Sequence, residues 1–400
     1  MRKIKKLLKY QNNGITLISI VITIIILLIL VSISISTLTN IGTFEKAKEA
    51  KENSEQATKN QQSILSEYEK TLNENSAEKL TFDKLNTVLS TKKNTYLKDE
   101  NGNMIVVPAG FKILVDDTTD YKKDETNSIT VDKGIVIEDA TLKEDGSKTS
   151  TNGSQFVWIP IGTITKIDGT IIEIDLNRYT FSSDGTPIAQ NEKAIPIGDH
   201  FFQELDTPNS ANVAAKNIKN FKNSSLVNGG FYIGRYEART PINRNSPIDS
   251  LTQITEKGTE SVYNYVTPFQ ATKLSQEMYD TNHPFTTDLT NSYAWDTTLL
   301  FLQKCGKNSK YALSHSLNTS FSRNGTNSSE YIGDRDTQCN IYDMASNLYE
   351  WTTETCSLID YPSVNRGGDY NYIAGIVSGR GYFGISSSNI TGGFRPILYL

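Results

Sequence analysis

Few side chains in this chain have the types and spacing for chemistry: three cysteines, three histidines and a polar-aromatic run near the C-terminus. Cys305, Cys339 and Cys356 are too few and too odd in number for a disulfide framework, leaving room for one bridge, with Cys339 and Cys356 flanking a single segment. His200, His283 and His315 lie far apart, and none sits in the H-x-x-x-H spacing that puts two imidazoles on one helix face. The stronger signal is DYNYIAGIVSGRGYFGISSSNITG, residues 369–392. Tyrosine gives contact area at low entropic cost, and serine, glycine and asparagine give adaptable hydrogen bonding. The candidate ligand contacts are Asp369, Tyr370, Asn371, Tyr372, Tyr382, Phe383, Ser386, Ser387, Ser388 and Asn389.

The composition fits a folded, polar-surfaced chain. Its 400 residues carry a formal charge of -5, which gives no whole-chain attraction to nucleic acid. Hydrophobic residues make up 37%, enough for a core and low for a polytopic membrane protein. From Met104 onward, short apolar runs alternate with polar loops: MIVVPAGFKI, GIVIED, QFVWIPIG and GGFYIGRYEA. These read as strands. Ser292–Gln303 reads as an amphipathic helix, with Trp295, Leu299 and Leu302 on one side. Ser76–Leu89 has helical spacing, while Asp116–Asp132 and Ala140–Ser154 read as loops.

The N-terminal part differs in kind. No charge occurs between Lys9 and Glu45, and Ile15–Thr39 is long enough to span a bilayer as a helix, for which roughly 20 residues are needed. Basic residues precede it and mixed charges follow, so Met1 is expected in the cytoplasm and the bulk of the chain outside, as a single-pass membrane protein. A basic leader ending in Asn13-Gly14, followed by Ile15-Thr16-Leu17-Ile18-Ser19, resembles the prepilin leader of type IV pilins and pseudopilins. The resemblance implies cleavage between Gly14 and Ile15 by a prepilin peptidase. Ser19 stands where that family carries the glutamate that supports filament packing. The expected organisation is a leader (1–14), a transmembrane helix (15–39), a helical stalk (40–75), a linker (76–103) and one domain (104–400).

Within that domain six short motifs run in order: VVPAGF (106–111), GGFYIGRYEA (229–238), SYAWD (292–296), YDMASNLYEW (342–351), RGGDY (366–370) and GGFRP (392–396). Their order resembles the formylglycine-generating enzyme/sulfatase-modifying-factor family, a variant of the C-type lectin fold. The resemblance implies an α+β fold with much irregular structure behind the long N-terminal helix. It places oxidising cysteines between RGG and GFR, where residues 366–395 contain none, and a related iron branch needs a histidine triad that three scattered histidines do not supply. No catalysis is expected. The resemblance also implies a structural Ca²⁺ held by Asp343 and Glu350 side chains with Ser346 and Leu348 carbonyls, since hard oxygen ligands suit Ca²⁺. The alternative is that Glu350 pairs with an arginine such as Arg366 or Arg395. Arg366 and Arg395 are expected to satisfy loop carbonyls, and Tyr349 and Trp351 to be core aromatics.

The 369–392 run, placed before GFR, resembles the variable region of lectin-fold proteins diversified by retroelements. The expected function is therefore a membrane- or pilus-anchored, adhesin-like binding protein that meets an extracellular protein or glycan through its 366–395 surface. The alternatives are a minor pilin or pseudopilin, and a sulfatase-modifying-factor-type oxidoreductase.

Overall fold

The computed structural model describes residues 70–400 apart from 120–128, 207–214, 280, 326–327, 331–334 and 373, together with Lys51, Ser63 and Glu67. The chain divides into two units, Met1–Tyr68 and Glu69–Leu400, and the second carries the described fold. The leader with Gly14 and Ile15, the 15–39 span and most of the 40–75 stalk lie outside the described residues.

Two six-stranded sheets organise the second unit. Their strands, in chain order, are β1 (Phe111–Ile113), β2 (Val136–Asp139), β3 (Gln155–Pro160), β4 (Ile195–Ile197), β5 (His200–Glu204) and β6 (Gly230–Gly234). They continue with β7 (Thr286–Leu289), β8 (Tyr349–Cys356), β9 (Ser363–Arg366), β10 (Gly381–Phe383), β11 (Gly392–Phe394) and β12 (Pro396–Tyr399). The first sheet is antiparallel throughout, in the order β7-β12-β6-β3-β2-β1. The second runs β4-β5-β8-β9-β10, with β11 parallel to β8. Arg395 alone separates β11 of the second sheet from β12 of the first.

Residue types explain these elements. The runs QFVWIP and GFYIG are rich in aromatic and β-branched residues, and nearly every position is buried, as expected of strands covered on both faces. Three α-helices are described in full: α1 (Ile218–Val227), α2 (Pro268–Gln276) and α3 (Ser292–Cys305). Asn217, Thr267 and Asn291 cap their N-termini, and Thr267 forms a capping box with Gln270 ahead of Pro268 in the first turn. Trp158, Trp295 and Trp351 are all fully buried. Each indole N–H donates to a backbone carbonyl, of Met104, Val377 and Val266 respectively, so their apolar area is buried without an orphaned donor.

Several expectations are corrected. The described residues are mainly antiparallel β-structure with short helices, not the α+β arrangement behind a long N-terminal helix. Against the expected single-pass localisation, no helix among the described residues is long and apolar enough to cross a membrane. The apolar residues of the described chain fall in runs that suit strands. Ser76–Leu89 is not a helix: Glu78–Lys79 pairs with Thr95–Lys98, and only Phe82–Lys84 forms a 3₁₀ turn. Thr95–Lys98 pairs in turn with Met104–Val107, so the expected linker belongs to the folded unit. The helix at 292–305 is buried almost all round rather than amphipathic.

Candidate functional site

The charged residues of the motifs find one another in space. Asp296 of SYAWD is ion-paired with Arg366 of RGGDY. Glu237 of GGFYIGRYEA accepts hydrogen bonds from the Asn347 amide (2.6 Å) and the Leu348 N–H (2.9 Å) of YDMASNLYEW. Arg395 of GGFRP donates from Nη2 to Glu350 Oε1 at 2.6 Å, and from Nε to Glu350 Oε2 at 3.0 Å. The same guanidinium donates to the Gly234 and Tyr342 carbonyls, so one buried side chain ties both sheets together.

Around Arg366 a larger network forms. Arg380 donates to Asp296 Oδ2 (2.6 Å) and Glu354 Oε1 (2.9 Å), Arg366 reaches Glu354 Oε2 (3.2 Å), and Arg178 also pairs with Glu354. All of these side chains are buried. Burial pushes the Glu354 pKa up, but Arg380, Arg178 and Arg366 outweigh it and hold the carboxyl below its ordinary range. Burial and the neighbouring Arg380 lower the pKa of Arg366. The network fixes the loop that follows β9, because Arg366 Nε also donates to the Gly379 carbonyl at 2.8 Å.

Directly beside this loop is a cavity of about 580 Å³. Five of the ten expected ligand contacts line it: Asp369, Tyr372, Tyr382, Phe383 and Asn389. Tyr372 and Tyr382 are the exposed members, at 63% and 40%. The Asp369 carboxylate accepts from the Asn371 and Tyr372 N–H groups (2.6 and 2.8 Å), so it shapes the turn. Burial raises its pKa. Tyr370, Asn371, Ser386, Ser387 and Ser388 do not line the cavity; Tyr370 packs on Phe321, ring centroids 5.7 Å apart.

The structure adds wall residues that sequence reasoning placed elsewhere. Tyr349 stacks on Phe383 (centroids 5.3 Å, 16°) and its hydroxyl donates to Asn389 Oδ1 at 2.8 Å. It is at once a buried aromatic and part of the wall, whereas Trp351 is fully buried. Strand alternation puts both on one face of β8, which was the available signal. Asn365, Ile376 and Arg380 also contribute, and no local pattern marks them.

The four residues implied for calcium run from Asp343 into β8. Both oxygens of Glu350 are taken by Arg395, which is the alternative the sequence left open. The Leu348 N–H faces Glu237, and the Ser346 hydroxyl donates to Asp336 Oδ2 at 2.9 Å and lies 3.3 Å from Asp343 Oδ1. Among the described residues no group of three or more His, Cys, Asp or Glu side chains is arranged to hold a metal. All three cysteines are free thiols, so the one bridge for which the sequence left room is not formed, and none of them lines the cavity.

No family model matches the chain, and no curated protein matches it. Among solved structures, Treponema denticola variable protein 1 aligns with a TM-score of 0.34 and 11% identity over 63% of this chain and 98% of that one. The crystal structure of CarF aligns with a TM-score of 0.25 and 12% identity over 34% of this chain and 67% of that one. Both scores fall short of a shared fold.

Proposed function

We propose that residues 69–400 form a non-catalytic binding module whose C-terminal cavity grips a partner protein. The observation that carries this reading is the cavity itself. Its exposed rim is Tyr372 and Tyr382, its inner wall is the Tyr349–Phe383 stack, and its loop is locked by the Arg366 network. Rigid aromatic anchors on a preorganised frame bind with little ordering cost. The predominantly apolar lining suits a protruding apolar or aromatic side chain of the partner. Among the described residues that line it there is no cysteine and no histidine. The finer ideas of an adhesin and of diversification at these positions rest on the composition of residues 369–392.

The test is a protein array probed with the full-length chain, repeated with a Tyr372→Ala/Tyr382→Ala variant. Loss of at least tenfold in signal, with an unchanged denaturation midpoint, supports the reading. A parent chain that binds nothing, or a variant that binds equally well, sinks it.

A further inference from the structure

A second cleft, of about 1310 Å³, lies elsewhere on the same unit and shares no lining residue with the C-terminal cavity. Its lining contains no aliphatic side chain. Apolar ligands and most peptide grooves depend on such side chains for burial, so this surface has nothing to offer them. It offers amides from Asn152 and Asn324, hydroxyls from Thr259 and Thr337, and the paired rings of Tyr236 and Tyr342.

The cleft is built, not merely hollow. The two tyrosine rings lie 5.0 Å apart at 30°. Beneath them is Arg235, fully buried, with its guanidinium 5.5 and 5.4 Å from the two ring centroids. Arg235 also donates to Gln155 Oε1 at 2.7 Å, to the Asn340 carbonyl at 3.2 Å, and to the Thr118 carbonyl. One arginine thereby fixes the floor, one wall and the rim. Tyr236 is held from above as well, since a Cβ at Gly258 would lie 2.6 Å from its Cζ.

Its charges are unequal in their freedom. Four cations line the cleft against three carboxylates: Glu138 pairs with Lys112 at 3.0 Å, Asp116 Oδ1 accepts from the Thr118 N–H and hydroxyl, and Asp117 is exposed. Lys257 is engaged by Glu260 and the Ser150 carbonyl. Lys148, Lys307 and Arg335 are exposed, and none has an ion-pair partner among the described residues. The cleft therefore presents available positive charge over a floor of amides, hydroxyls and tyrosines.

We infer that this cleft binds an acidic oligosaccharide, its hydroxyls meeting the amides and threonines and its anionic groups meeting Lys148, Lys307 and Arg335. A sugar supplies many hydroxyls and little apolar surface, which matches the lining. The anionic group, carboxylate or sulfate, uses the uncommitted cations, and its attraction weakens with added salt.

The experiment is a glycan array carrying sialylated, uronate-bearing, sulfated and neutral oligosaccharides, probed with the full-length chain. Binding to acidic glycans is expected to fall at least tenfold in Lys307→Glu/Arg335→Glu, and to weaken between 50 and 300 mM salt, where the screening length shortens about 2.4-fold. It is expected to be unchanged in Tyr372→Ala/Tyr382→Ala, so failure here and failure of the protein-binding reading are distinguishable. The carboxylated and sulfated spots tell which anion is taken. A silent array, binding confined to neutral glycans or to proteins, or binding indifferent to the charge reversal overturns the inference.

Discussion

Arg366 and Arg380 hold the same two carboxylates, Asp296 and Glu354, from opposite ends of the loop that frames the C-terminal cavity. Arg178 adds a third cation to Glu354. The cluster thus has more cations than anions, and its acids matter more than any one arginine. Asp296→Asn is expected to cost about 3–5 kcal/mol, because it leaves buried guanidinium charge unpaired. Arg366→Met is expected to cost less, since Arg178 and Arg380 still neutralise both acids. Urea midpoints of the two variants check the order; equal losses would refute it.

Asp336 gives the fold a pH dependence. It is fully buried, and burial, reinforced by Asp343, pushes its pKa up to about 7. A carboxyl with a raised folded pKa favours folding when protonated. Its contribution is complete below its ordinary value near 3.8 and disappears as pH rises through about 7. Asp336→Asn keeps an oxygen for the Ala345 N–H and the Ser346 hydroxyl while removing the charge. The variant should match the parent at pH 4 and exceed it at pH 8 by about 4 kcal/mol. Denaturation curves at the two pH values measure this.

Gly367 has φ +81°, and a Cβ there would meet the Met344 carbonyl oxygen at 2.7 Å. Gly367→Ala is expected to lose about 1–3 kcal/mol and to disturb the turn leading into the cavity. Gly146→Ala, also at positive φ (+80°) but with nothing within 4 Å, isolates the backbone part of the cost. A larger loss at Gly367, read from thermal midpoints, confirms the contact.

Thiol chemistry should be slow in the native state. Burial, with Asp132 nearby, pushes the Cys305 thiol up to about 12, and burial also raises Cys356. A thiol held in that form is a poor nucleophile. Ellman titration is expected to find three thiols in denaturant, with Cys305 reacting far more slowly before unfolding. A disulfide-linked pair recovered from the native chain would contradict it.

The strands were legible because their residues announce themselves: QFVWIP and GFYIG needed no partner to be recognised. The helix at 292–305 was legible in place but not in setting. Its polar residues suggested a wet face, yet Thr297 donates to the Asn177 carbonyl, Gln303 to that of Gly185, and Asp296 is ion-paired. Those partners lie more than a hundred residues upstream or, for Arg366, beyond the next motifs, out of reach of any local pattern. Glu350 shows the same limit. Arg366 is its cross-strand neighbour, but that guanidinium turns to Asp296 and Glu354, and Arg395 takes Glu350 instead. Half of the expected contacts at 369–389 line the cavity because alternation and turns decide which polar residues face inward. The tyrosine-floored cleft was invisible, since its walls come from separate stretches of chain between Asp116 and Tyr342.

β12 lies between β7 and β6, inside the first sheet, although it is made from residues 396–399. During synthesis every other strand of that sheet emerges before the one that joins β7 to the rest. Until then the nascent chain carries two unfinished edges with exposed hydrogen-bonding groups. A chain halted before residue 396 is therefore an adhesive polypeptide although five of the six strands of that sheet are already made, and quality control of this protein turns on residues 396–399.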